Sequence, residues 1–130
     1  MNKKIIFLKF IFHFLTFFLI ILSLFPGSLL GFMFYGDFGR QPNIINNPFG
    51  TTINHFIYYL ILSLIGFIVY LRDINLKKLV LLLFFLSIIL EILHLIIPNR
   101  SFQLGDLIGN ILGVTVAYLI IKIYLYFNRT

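Results

Sequence analysis

The chain contains no cysteine, which excludes disulfides, thiolate nucleophiles and cysteine-ligated metal sites together. Charge is scarce as well. Only 11% of the 130 residues are charged and 61% are hydrophobic, where a soluble domain carries about 25% and roughly 45–50% respectively. So few polar side chains cannot cover a water-facing surface, and the mean hydropathy of +1.06 makes lipid part of the solvent. Acidic residues are the rarest charge, with four Asp and Glu against ten Lys and Arg, for a net charge of +6. That excess does not point to nucleic acid. The basic residues form no patch with aromatic neighbours; they stand at the ends of apolar segments, where membrane topology places them. Also missing are a Gly-rich phosphate loop, a Gly-x-Ser-x-Gly elbow and a His-Glu-x-x-His helix.

What the sequence does contain is four long apolar runs, at about 5–25, 53–71, 79–97 and 107–127. Each approaches or reaches the ~20 residues a helix needs to cross ~30 Å of hydrocarbon. None alternates as a membrane strand does over ~10 residues, and backbone groups in lipid have to be satisfied within their own segment. The expectation is an all-α integral membrane protein with four transmembrane helices, residues 1–130 forming a single membrane domain. The first run is longer than the ~7–15 apolar residues of a signal peptide. It ends in Leu24-Phe25-Pro26-Gly27, without a small-x-small cleavage site, and reads as an uncleaved helix.

The connections set the orientation. Lys3, Lys4 and Lys9 attend the first helix, Arg72, Lys77 and Lys78 the link between the second and third, and Arg129 the end of the fourth. With four crossings all of these fall on one side, and only Arg40 and Arg100 on the other. The positive-inside rule then places both termini in the cytoplasm. The outer loop 26–52 is rich in glycine, proline and asparagine, which argues against regular structure. It also holds Phe32, Phe34, Tyr35, Phe38 and Phe49. It reads first as an interfacial connector and second as a lid over an outward-facing site.

Ionisable groups inside spanning segments cost about 2.5–3.5 kcal/mol on insertion scales, so each is a functional hypothesis. His55 and Tyr59 lie at the outer end of helix two, Glu91 and His94 in the outer third of helix three, and Asp106 and Asn110 at the mouth of helix four, with Arg100 in the link before it. The i, i+4 and i, i+3 spacings put each pair on one helix face. Gly105, Gly109 and Gly113 form two small-xxx-small steps that admit close approach of another helix. His13 stands alone in helix one, and Lys122 sits where it can snorkel. Each cluster member has a bland reading as an interhelical hydrogen bond, averaging ~0.6 kcal/mol. Tyr59 and Asn110 read as structural; Glu91, Arg100 and Asp106 together read as functional. Glu91 needs a proton or a partner, and Arg100 and the two histidines are the groups near it. Glu91-x-x-His94 is half of a di-iron bundle motif that requires a second copy. A mononuclear metal site on His55, His94, Glu91 and Asp106 is the weaker reading, and no metal or cofactor is assigned. The sequons at Asn99 and Asn128 read as chance matches.

From about Asn54 to Tyr118 the chain resembles the VanZ-like membrane proteins. The resemblance is carried by His55-x-x-x-Tyr59, Glu91-x-x-His94, Arg100, and Asp106-x-x-x-Asn110-x-x-Gly113. Thr51 and Thr52 replace the family's acidic residue and lysine, and His94 stands where glutamine is usual. That substitution weakens His94 as an obligatory metal ligand. The resemblance implies a multi-pass protein of the bacterial cytoplasmic membrane, in a family whose namesake is linked to low-level teicoplanin resistance. On the residues and the resemblance together, the first hypothesis is an outer cluster that binds or modifies a polar group of a membrane lipid or cell-wall precursor. Glu91 and Asp106 would be the acid–base groups, with Arg100, His55, His94 and Asn110 as binding groups. The alternative is a non-catalytic structural or interaction module, with a homo-oligomer compatible with either.

Overall fold

A computed structural model of the chain describes residues 3–71 and 76–128. Arg72 and Arg129, both orientation signals, and the Asn128 sequon beyond its first residue lie outside the described residues. Among the described residues five helices follow one another: α1 (Lys3–Leu24), α2 (Leu29–Tyr35), α3 (Thr52–Val69), α4 (Leu76–Leu93) and α5 (Leu104–Phe127). Three of them, α1, α3 and α5, are long and apolar enough to cross a membrane. The fourth long helix, α4, has 18 residues, about 27 Å at ~1.5 Å per residue, and carries Lys77, Lys78 and Glu91.

Helix ends follow from local chemistry. α1 stops ahead of Pro26, which disfavours helical geometry at Phe25, and Gly27 then turns the chain with φ +79°. α4 ends at Leu93, not at 97 as its apolar run suggested. Beyond Leu93 the bonds shorten to the i−3 pattern, with His94 N to Glu91 O at 3.1 Å and Ile96 N to Leu93 O at 3.0 Å. Such tightening is a common way to close a helix, and Pro98 follows. His94 therefore sits on the closing turn rather than on the helix.

The four long helices alternate in direction. The Tyr58 hydroxyl donates to Leu15 O at 2.8 Å, and His13 Nε2 lies 3.1 Å from the Tyr70 hydroxyl, so α1 and α3 run antiparallel. α3 and α5 run parallel and pack most closely. A Cβ on Gly109 would lie 2.6 Å from Thr52 O, and one on Gly113 2.7 Å from Phe56 O. Only glycine fits these two contacts without backbone movement. The buried core is Tyr59, Leu62 and Phe67 of α3, Leu83 of α4, and Val114 and Ala117 of α5. Large apolar side chains also cover the outside, among them Phe7, Phe17, Leu81, Phe85, Leu112 and Ile123. A bundle apolar on both its inner and its outer faces is at home in lipid, not water.

The segment expected to lack regular structure contains α2. Ser28 caps it, its Oγ accepting from Gly31 N at 2.9 Å, and Gly36 closes it in the left-handed region at φ +69°. Stacked rings hold the loop together: Phe32 lies on Phe38 at 4.2 Å and Phe38 on Phe25 at 5.9 Å. Arg40 covers the Tyr35 ring at 3.8 Å. Asn54 of α3 then pins the returning strand of the loop, donating to Pro42 O at 2.7 Å and accepting from Ile44 N at 2.9 Å.

Candidate functional site

Parallel packing brings the N-terminal ends of α3 and α5 side by side, and the antiparallel α4 adds its C-terminal end to the same level. Polar residues from all three meet there. Asn110, 1% exposed, donates through Nδ2 to Ser87 O of α4 at 3.1 Å. That bond fixes the amide orientation and turns Oδ1 toward His55, whose Nδ1 is 2.9 Å away. Since Oδ1 can only accept, His55 Nδ1 is the protonated nitrogen. Its other nitrogen, Nε2, faces Asp106 Oδ2 at 3.4 Å. Asp106 lies in the first turn of α5, where the helix dipole favours a negative charge. The Thr51 hydroxyl holds its carboxylate, 3.1 Å from Oδ1 and 3.0 Å from Oδ2.

Glu91 is 1% exposed. Its Oε1 accepts from Gln103 N at 3.0 Å and lies 3.3 Å from His94 Nδ1. Its Oε2 has no hydrogen-bond partner among the described residues, and neither has His94 Nε2. His55, Glu91 and Asp106 each present one potential ligand atom, and the three atoms lie within 4.8 Å of one another.

Arg100 goes elsewhere than the sequence suggested. It makes no salt bridge with Glu91. Its Nε donates to Phe25 O at 3.3 Å and its Nη2 to Leu22 O, so it satisfies carbonyls left over at the C-terminus of α1. Burial lowers the guanidinium pKa from its ordinary value, while the charge of Glu91 acts in the opposite sense. Tyr59, fully buried, turns its hydroxyl to Leu86 O at 3.4 Å and takes no part in the cluster.

Beside the cluster lies a cavity of about 430 Å³, closed on one side by the loop that joins α1 to α3. His55, His94, Arg100 and Thr51 are among its polar lining residues. Leu19 and Leu22 of α1 with Leu30 and Phe34 of α2 form an apolar wall, and residues 41–44 complete the roof. Glu91 and Asp106 do not line it. Residues of the loop thus line the cavity.

Three contributors escaped the sequence reading. Ser87 looks like any small residue of an apolar helix. Gln103 acts through its backbone N–H, which no side-chain pattern announces. Thr51 was visible only as a departure from the family pattern. At the opposite end of the bundle His13 is not solitary: besides its bond to Tyr70, Lys9 lies over the same ring at 4.9 Å. Lys122 covers Tyr118 at 5.1 Å. Comparison with family models, curated proteins and solved structures finds no match to this chain.

Proposed function

We propose that the protein is a VanZ-like component of a bacterial cytoplasmic membrane, crossing it four times with both termini in the cytoplasm. In this reading the cavity beside His55, His94 and Arg100 holds the polar, anionic end of a lipid or lipid-linked cell-wall precursor. Support comes first from the cavity's mixed lining, which combines one guanidinium and two imidazoles with leucine and phenylalanine side chains. An amphiphile needs both surfaces at once. Pockets for small molecules usually combine an apolar lining with a few placed polar groups, and an arginine suits phosphate or carboxylate recognition. Asp106 lies 3.4 Å from His55 Nε2, so acid–base work on a bound group would run through His55, the one of the three that lines the cavity. Teicoplanin susceptibility is the family-derived phenotype to assay.

The test is lipid retention by the whole protein released from nanodiscs, read by native mass spectrometry. Phosphatidylglycerol is expected to remain bound in preference to phosphatidylcholine, and Arg100→Gln to abolish the preference while His13→Ala leaves it intact. Equal retention of the two lipids by the wild type would refute the reading. Glu91→Gln and Asp106→Asn are then assayed for envelope phenotype with protein abundance measured alongside.

A second reading, a non-catalytic helix-packing module, has its own observation. Arg100 commits its Nε and one Nη2 donor to α1 carbonyls, and Asn110 bridges α3 and α4. If that is the whole role, substitutions lower abundance in step with phenotype, and no lipid preference is seen.

A further inference from the structure

We propose that His55, Glu91 and Asp106 form a binding site for one first-row divalent cation, with Zn²⁺ and Mn²⁺ as the ions to test. The argument starts from the tautomer. Asn110 Nδ2 is committed to Ser87 O at 3.1 Å and Asn110 Oδ1 faces His55 Nδ1 at 2.9 Å, so a neutral His55 carries its proton on Nδ1 and a lone pair on Nε2. That lone pair points at the Asp106 carboxylate, 3.4 Å away. With His55 neutral, two electron-rich atoms face each other with no donor hydrogen between them, an arrangement that calls for either a proton or a cation in the gap. Glu91 adds a third, because its Oε2 is buried and unpartnered among the described residues, and the three residues' ligand atoms fall within 4.8 Å of one another. An unpaired carboxylate oxygen buried in a membrane bundle is costly, and a cation shared with His55 and Asp106 removes that cost for Glu91.

The spacing suits a metal. Nitrogen and oxygen ligands about 2.1 Å from Zn²⁺ at tetrahedral angles stand about 3.4 Å apart; the His55–Asp106 pair already matches this, and the set, now within 4.8 Å, has to draw together on the ion. One imidazole with two carboxylates is a mixed nitrogen–oxygen set that suits zinc or manganese. Each ligand is also oriented by a further bond: His55 by Asn110, Asp106 by Thr51, and Glu91 by Gln103 N and His94. Such outer partners are a regular feature of metal sites. His94, which the sequence grouped with the other possible ligands, acts as one of these partners. Three protein ligands leave at least one coordination position for water or another group, and His55 links the site to the cavity wall.

The site does not depend on the lipid reading, and its test needs no lipid preference. Tag-free full-length protein in detergent micelles is titrated with ZnCl₂ and with MnCl₂ by isothermal calorimetry, with Mn²⁺ also followed by its electron paramagnetic resonance signal. Saturable uptake of one ion per chain is expected. Asp106→Asn and Glu91→Gln should weaken it about tenfold or more, and Asn110→Ala by ~10–100-fold, whereas His13→Ala should not weaken it. Because these variants remove buried contacts, the wild type is also melted with and without the ion, and a rise in unfolding temperature is expected. No saturable uptake of either ion by the wild type would assign the gap to a proton and overturn the proposal. Undiminished uptake by a folded Asp106→Asn variant would overturn it equally.

Discussion

Asn110 Oδ1 lies 2.9 Å from His55 Nδ1 while Asn110 Nδ2 reaches Ser87 O at 3.1 Å, so one side chain of α5 ties α3 to α4. Asn110→Ala leaves both partners unsatisfied in a buried setting, which costs roughly 1–3 kcal/mol. Denaturation of the purified protein in mixed micelles should show a loss in that range. An unchanged midpoint would mean that the bundle adjusts to satisfy His55 and Ser87 by other routes.

The three glycines of α5 are not equivalent. At Gly113 a Cβ would meet Phe56 O at 2.7 Å and Leu60 N at 2.9 Å, all backbone, whereas at Gly105 it would meet the Thr52 hydroxyl at 2.6 Å. A hydroxyl can rotate away; a helix backbone cannot. Gly113→Ala is expected to destabilise by about 1–3 kcal/mol, the usual penalty of overpacking, and Gly105→Ala by less. Parallel melts of the two variants in one detergent decide the order, and Gly105→Ala as the worse of the two would contradict this packing.

Much of this was legible because hydropathy and sparse polar residues are strong local signals in a membrane chain. The long helices lie close to the four apolar runs, and Asp106 and Asn110 both face His55 as their i, i+4 spacing suggested. What was not legible is pairing in space. The step of Gly105, Gly109 and Gly113 signalled a close neighbour without saying that it is the parallel α3. Arg100 stood near Glu91 in the chain reading, yet in space its nearest acceptors are the carbonyls of Leu22 and Phe25, more than seventy residues away. His13 looked solitary because Tyr70 lies at the far end of α3. α2 was hidden for a different reason: its capping residues, Ser28 and Gly36, belong to a run of turn formers that also reads as irregular loop.

Arg100→Ala should loosen the C-terminal end of α1. Bonds to a charged donor contribute about 1.5–3 kcal/mol, and Arg100 is the side chain that holds the Leu22 and Phe25 carbonyls. Hydrogen exchange by mass spectrometry should show faster exchange in peptides covering residues 19–27, with peptides of α5 beyond Gly113 unaffected. Faster exchange spread evenly over the protein would point to global destabilisation instead.

Topology is open to direct measurement because the chain has no native cysteine. Single cysteines at Arg40 and Gln103, both exposed, should react with a membrane-impermeant maleimide on intact cells. A cysteine at Lys77, also exposed, should react only after permeabilisation. The inverted pattern would turn the cavity toward the cytoplasm and remove the envelope-facing ligand.

The outer loop offers a way to separate the cavity from the bundle. Gly31 of α2 sits against the Arg40 carbonyl so tightly that a Cβ there would clash with it and approach Asp37 O to 2.8 Å. These are backbone atoms of the returning loop, so Gly31→Ala cannot be absorbed by a rotamer change and should push α2 away from residues 37–40. The core residues Leu62, Leu83 and Val114 are not part of that contact, and the α3–α5 packing is untouched. The expected outcome is a small change in melting temperature together with a marked loss of phosphatidylglycerol retention, because Leu30 and Phe34 of α2 form part of the cavity wall. Metal uptake at His55, Glu91 and Asp106 should persist, since all three are held by α3, α4 and α5. A variant that keeps its lipid would make the loop a connector rather than a lid. One that loses its lipid and keeps its metal would show that the two sites are adjacent but separable.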